Sequence, residues 1–232
     1  NRKKNDIPII ALVGYTNAGK SSIFNYLTNS SELEKDMLFA TLDPKMSVFK
    51  LAGFDEVILL DTVGFISDLP THLISAFKAT LEEVVHSSII LHVRDISHSE
   101  SRQQAIDVEN TLDRLDWGLL ERPKVIEVYN KIDKLSNLHL RELRLSCGNS
   151  QVSVLLSSLK GTGFEYLQNL IARVLNDGKK SETIFLKFSD SKLRSWLFDN
   201  KLVINEKALK DGFSLTVQWS KEQRNQFFKF LS

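Results

Sequence analysis

Gly14-Tyr15-Thr16-Asn17-Ala18-Gly19-Lys20-Ser21-Ser22 decides how the rest of this chain is read. Before it, Ile7 to Val13 is an apolar run of strand length. After it, Ile23, Phe24 and Leu27 recur at the spacing of one helix face. A Gly-x4-Gly-Lys-Ser turn between a strand and a helix is the context of a phosphate-binding P-loop. Its two glycines let the backbone fold tightly around an anion with no Cβ in the way. The loop N–H groups and the helix N-terminus then point at phosphate oxygens. Gly14 through Ser22 are the expected phosphate contacts. Lys20 is expected to neutralise the β and γ phosphates, and Ser21 to offer its hydroxyl to Mg2+.

Outward from this loop the pattern alternates. Met46–Leu51 and Glu56–Leu60 read as a hairpin around Ala52-Gly53-Phe54-Asp55. Ser88–Val93, Lys124–Tyr129 and Val152–Leu156 read as further strands. Between them, helical spacing runs from Leu73 to Val85 after Pro70-Thr71, from Ala105 to Leu115, over Leu138–Leu145, and from Phe164 to Leu175. Alternation of this kind predicts an α/β fold: a mixed, mostly parallel sheet with helices on both faces. Ligands of such sheets bind at the carboxyl ends of the strands. Asn29–Asp43 lacks periodicity and reads as a long, functional loop containing Phe39-Ala40-Thr41-Leu42-Asp43-Pro44.

Three segments are expected: a linker end at 1–6, a P-loop domain at 7–177, and a small α+β domain at 178–232. In the last, Thr183–Phe188 and Phe213–Trp219 alternate as strands, and Ser191–Phe198 reads as a short helix. Ser220-x-x-Gln223 reads as a capping box for a final helix. Asp177-Gly178-Lys179-Lys180 reads as the linker into it. This segment holds eleven Lys/Arg against six Asp/Glu, a net +5, while the rest of the chain is −4. A basic domain suits nucleic acid and is equally an ordinary solvated surface; its aromatic residues read as core.

Composition excludes several classes. With 42% hydrophobic and 25% charged residues the composition is that of an ordinary globular protein, and no apolar run approaches the length that spans a bilayer, so no membrane segment is expected. A lone cysteine, Cys147, allows no internal disulfide and fits a reducing, cytoplasmic compartment. The five histidines show no metal-ligand spacing. The chain starts at Asn1 rather than Met, as a fragment would.

Two further motifs follow the P-loop in order. Asp61, after four apolar residues, is expected to hold Mg2+. Gly64 is expected to present its N–H to a γ-phosphate, and Thr41 to add a hydroxyl to the metal when its loop closes. Loss of those contacts on hydrolysis would release the loop, which makes a switch. Lys20, Thr41 and Gly64 are thus the catalytic candidates, and Ser21, Thr41 and Asp61 the metal ligands. Asn130-Lys131-Ile132-Asp133 selects the base. An Asp133 carboxylate accepts from the N1–H and N2 amine of guanine, donors that adenine lacks. Asn130 is expected to brace the loops, the Lys131 stem to cover the ring, and Ser157-Ser158-Leu159 to bring a backbone N–H to guanine O6.

These stretches resemble the GTPase superfamily, and more closely the HflX family of ribosome-associated GTPases. The resemblance is carried by the P-loop, by Phe39–Pro44, by Asp61-Thr62-Val63-Gly64-Phe65-Ile66, by Leu69–Glu83 and by His92-Val93-Arg94-Asp95. It implies a GTP-hydrolysing switch that acts with the large ribosomal subunit and its RNA, in ribosome rescue, splitting or subunit maturation. It also implies a fragment lacking the family's N-terminal domain.

After Asp61-x-x-Gly64, many GTPases place a Gln that orients the attacking water. Phe65 cannot do this, so slow intrinsic turnover is expected. A K+ ion held partly by Asn17, or a group from the ribosome, would complete the site. Phe65 also keeps open a non-catalytic GTP/GDP-sensing ribosome- or RNA-binding module. An ATPase is disfavoured by Asn130–Asp133, and a GTPase of RNA modification by the resemblance of Leu69–Glu83.

Overall fold

Strand β1 (Ile9–Gly14) carries four consecutive side chains, Ile10 to Val13, with no exposed surface. Successive strand residues face opposite sides, so a strand with no polar side must be covered on both. The computed structural model describes residues 7–30, 45–62, 64, 83–115, 117–118, 122–147, 152–177 and 179–230. It divides into two compact units, Ile7–Leu175 and one beginning at Asn176.

In the larger unit, β1 is followed by α1 (Lys20–Thr28), β2 (Lys45–Leu51), β3 (Phe54–Asp61), β4 (Ile89–Asp95) and α2 (Ser101–Asp113). Then come β5 (Lys124–Asn130), α3 (Asn137–Cys147), β6 (Ser153–Leu155) and α4 (Phe164–Asn176). The sheet order is β2-β3-β1-β4-β5-β6. All pairs are parallel except the β2–β3 hairpin, which turns at Gly53 (φ +84°) and bulges between Phe49 and Leu51. The expected mixed, mostly parallel α/β sheet is the fold observed.

The two sheet faces bury different residues of the same strands. Ile10 and Leu12 of β1 join Leu59, Leu91, Ile126 and Val128 under α1 and α4. Ala11 and Val13 join Leu60, Ile90, Val108 and Leu112 on the α2 side. Helix α4 presents Phe164, Leu167, Leu170, Ile171 and Val174 as one buried stripe, each contributing about 1.5–3 kcal/mol of gross burial. Chain order reverses beside β1: the connections run to β3 on one side and β4 on the other. That is the crevice where open α/β sheets bind ligands.

In the smaller unit, β7 (Lys180–Lys187), α5 (Ser191–Asp199), β8 (Val203–Leu209), β9 (Gly212–Trp219) and α6 (Lys221–Lys229) form an α+β module. Its antiparallel sheet has the order β7-β9-β8. Leu186, Leu197, Leu215, Val217, Trp219 and Phe227 fill its core. Ser220 caps α6 with the expected box: its hydroxyl accepts from Gln223 N, and Gln223 returns its side chain to Ser220 N. Strand β8 is absent from the sequence reading. It is an edge strand with Glu206 and Lys207 in its middle and every residue at least partly exposed, so no hydrophobic alternation marks it. Strand β7 also starts at Lys180 rather than Thr183, taking in the end of the expected linker.

Candidate nucleotide site

The carboxyl ends of β1, β3, β4 and β5 bring the sequence motifs to one place. Gly14 ends β1, and a Cβ there would stand 2.2 Å from Val93 O of β4. Only a glycine lets the two strands run this close. Asn17 takes a left-handed conformation (φ +58°), which Asn tolerates better than most residues. Tyr15 packs partly buried on the α2-side core, and Ala18 is buried on the other. Gly19 is the N-cap of α1 at φ +99°. Lys20, Ser21 and Ser22 form the first turn of that helix.

Lys20 is 6% exposed, and its Nζ donates to Gly14 O at 3.1 Å and Tyr15 O at 3.0 Å. Burial pushes the ammonium down to about 8, while the Asp61 charge pulls it back up. A buried cation this close to loop carbonyls gains most from an anion in the cradle. Ser21 Oγ donates to Asp61 Oδ2 at 2.8 Å, joining residues forty positions apart. Hydroxyl and carboxylate oxygens are hard donors, the set Mg2+ takes when substrate phosphates supply further ligands. The residues present therefore fit the expected metal. Gly64 lies against the same loop: a Cβ there would be 2.7 Å from Thr16 Cγ2 and 3.2 Å from Lys20 Nζ. Thr41, Phe65 and the segment Leu69–Glu82 lie outside the described residues.

The residues expected to select the base form a second cluster. Asn130 is fully buried at the end of β5. Its Nδ2 donates to Ala18 O at 2.9 Å and Ser158 Oγ at 3.2 Å, and its Oδ1 accepts from Ser158 N at 3.0 Å. Lys131 has φ +64° and reaches back to the P-loop, donating to Asn17 O at 2.6 Å. Asp133 Oδ1 accepts from the buried Ser157 hydroxyl, which sets the carboxylate's orientation. Ser157 also accepts from Lys160 N at 3.1 Å and pairs through its backbone with Thr162. Leu159 is 81% exposed at the tip of this loop.

Two contributors escaped the sequence reading. Asp95 accepts from Lys131 Nζ at 2.8 Å. Burial alone would raise its pKa; the bonds from Lys131 and Ser97 outweigh burial and hold the carboxyl below its ordinary value. The available signal was position, because Asp95 ends β4 as Gly14, Asp61 and Asn130 end their strands. The other is Thr62, fully buried, whose Oγ1 donates to Leu12 O at 2.6 Å and ties the end of β3 to β1 beside Asp61. On the α2 side, His92 Nδ1 lies 2.8 Å from Glu127 Oε1, and Arg94 reaches Glu127 Oε2 at 3.4 Å.

A parallel sheet with this strand order, a Gly-rich loop on Lys20, and Asn130 joining that loop to Ser158 define a P-loop GTPase domain. The family model described as "50S ribosome-binding GTPase" matches residues 9–131. The chain belongs to that family, and several of the relatives it matches are named GTPase HflX. GTPase HflX of Caldanaerobacter subterraneus subsp. tengcongensis is 38% identical over 99% of this chain and 51% of its own length. GTPase HflX of Escherichia coli K12 is 36% identical over 91% of this chain and 49% of its own. The chain thus spans about half the length of the curated relatives it matches. Among solved structures, a GTP-binding protein of the archaeon Sulfolobus solfataricus, in complex with GDP, is 28% identical with a TM-score of 0.52. That match covers 72% of this chain and 52% of the other. Among the described residues no helix is long and apolar enough to cross a membrane.

Proposed function

We propose that this domain binds GTP and hydrolyses it slowly, as a switch working on the large ribosomal subunit and its RNA. The observation that carries the reading is the convergence of Lys20 and Ser21, Asp61 and Asn130 on one crevice from three strand ends. Gly14 to Ser22 wrap the phosphates, and the Lys20 ammonium turns from its loop carbonyls to the β and γ oxygens. Ser21 and Asp61 would hold Mg2+, with Thr41 joining when its loop closes, and the ion would supply positive charge against the phosphates. Gly64 brings its N–H to the γ-phosphate from beside Thr16. Asp133 accepts from the guanine N1–H and N2 amine, while Lys131, stretched between Asn17 O and Asp95, lays its stem over the ring. The loop Ser157-Ser158-Leu159 meets guanine O6.

Phe65 offers no hydrogen bond to an attacking water, so water positioning and transition-state charge fall to a group outside this set. A K+ ion held partly by Asn17, or a ribosomal group, would supply that charge. The ribosomal partner is supported by the family's description and by the HflX relatives. The test is GTP turnover in potassium and in sodium buffer, with and without large ribosomal subunits. Low basal turnover that rises with subunits is expected. Unchanged turnover with subunits removes the ribosomal half of the proposal, and equal rates in both buffers remove the role of K+. Nucleotide binding without turnover in every condition leaves a sensing module instead.

A further inference from the structure

The sheet of the smaller unit has one face packed on α5 and α6 and the other open. Residues directly opposite each other across antiparallel strands share a face. Phe185, Ser214 and Lys207 form one row across the open face, beside Lys187 in the next row. Phe185 keeps 51% of its surface exposed, whereas its neighbour Leu186, on the other face, keeps 3%. Its ring has a built seat: a Cβ placed on Gly212 would stand 2.9 Å from Phe185 Cζ. The glycine of β9 thus leaves room for the aromatic of β7, which is held at the surface rather than turned into the core. Thr183, Thr216 and Gln218 add hydroxyl and amide groups to the same face. No carboxylate occupies a strand position on it among the described residues. Glu182 and Glu206 lie on the helix-covered face, bonded to Arg224 and Arg194.

An exposed ring flanked by lysines and neutral polar groups fits an unpaired nucleobase and its phosphates. Base–aromatic stacking tolerates any base, and lysines track the backbone. We propose that this open face is a platform for single-stranded RNA, with one base stacked on Phe185 and adjoining phosphates on Lys187 and Lys207. The choice of RNA over DNA rests on the ribosomal reading above, with the threonines and Gln218 facing the 2′-hydroxyls.

The test is fluorescence anisotropy of the whole chain with a labelled single-stranded RNA of about twelve nucleotides, its duplex, and the matching single-stranded DNA. Single-stranded RNA is expected to bind at least about tenfold more tightly than the duplex, because only unstacked bases reach the ring. Phe185→Leu preserves an apolar group over Gly212 but not a stacking face, and is expected to lose about tenfold in affinity with an unchanged melting temperature. Lys187→Gln with Lys207→Gln is expected to lower the salt slope by about 1.4. Wild-type-like binding by Phe185→Leu, a preference for duplex, or no binding overturns the proposal; equal binding of DNA overturns the choice of RNA. Co-sedimentation with large ribosomal subunits separates the two readings. Pelleting without single-strand affinity sinks the platform and keeps the ribosomal function. Single-strand affinity lost in Phe185→Leu, without pelleting, keeps the platform and sinks the ribosomal function.

Discussion

Gly19 of the P-loop lies directly beneath Asn130 at the end of β5: a Cβ on Gly19 would stand 2.2 Å from Asn130 Nδ2. That same nitrogen donates to Ala18 O at 2.9 Å. The glycine that permits the loop's turn is therefore also what lets the end of β5 close onto the loop after β1. One missing side chain serves both halves of the site.

Gly19→Ala is expected to damage both halves together. It places a Cβ against a buried amide and puts alanine at φ +99°, a strain of about 1–3 kcal/mol. GDP affinity, measured with a fluorescent analogue, should fall roughly tenfold to a hundredfold. Asn130→Ala removes the obstruction, so the double variant should lose less than the sum of the singles. Full additivity would show that the contact between them is unimportant.

Asp95→Asn tests whether Lys131 needs its carboxylate. The Nζ would keep Asn17 O and lose its charged partner, a change on the order of 1–2 kcal/mol for a part-buried charge-assisted bond. Guanine nucleotide affinity should drop about tenfold, with secondary structure by circular dichroism unchanged. Undiminished affinity would leave Asp95 a structural role only.

Asp133→Asn replaces the carboxylate proposed to accept from two guanine donors with a group that is half donor. GTP competition should weaken by two orders of magnitude or more, since a site built on buried hydrogen bonds rejects a mismatched partner strongly. Xanthosine triphosphate, which carries a C2 carbonyl in place of the amine, should gain relative to GTP. Retained GTP preference would place base recognition elsewhere.

Glu127 carries an acid-stability signature. Burial by itself raises its pKa, but the bond and charge of His92 and the nearby Arg94 outweigh burial and leave it lowered. The folded carboxyl binds its proton more weakly than the unfolded one, whose ordinary value is about 4.3. Its stabilising contribution is thus complete above that value and is lost as pH falls through the lower folded pKa. Urea unfolding at neutral and acidic pH should show the wild type losing more stability in acid than Glu127→Gln. Parallel pH profiles would contradict the assignment.

Leu170→Ala removes a buried side chain from the α4 stripe. It should cost about 2–5 kcal/mol in urea unfolding and leave the nucleotide contacts of the folded protein in place. A loss near zero would mean that the core closes over the gap.

Much of the site was legible because its chemistry is local. Gly14 to Ser22, Asp61 and Asn130 to Asp133 are short motifs at strand ends, and strand ends show where an apolar run meets polar residues. The apolar runs of β1, β3 and β4 and the stripe of α4 gave the α/β order directly, since burial on both sheet faces leaves little polar alternation. Strand β8 was not legible, because an exposed edge strand with Glu206 and Lys207 at its centre needs no apolar side.

By itself the sequence determined the α/β class and the short motifs proposed here for phosphate, metal and base: Gly14 to Ser22, Ser21 with Asp61, and Asn130 to Asp133. These depend on residue type and on spacing along the chain. Only the tertiary structure decided that Asp95 holds Lys131, that Gly19 sits under Asn130, that Thr62 pins β3 to β1, and that Phe185 stands on an open sheet face rather than in the core. Each is a contact between segments distant in sequence, or a choice between two faces of one strand. Strand register and packing settle such choices, and no short stretch of residues encodes them alone.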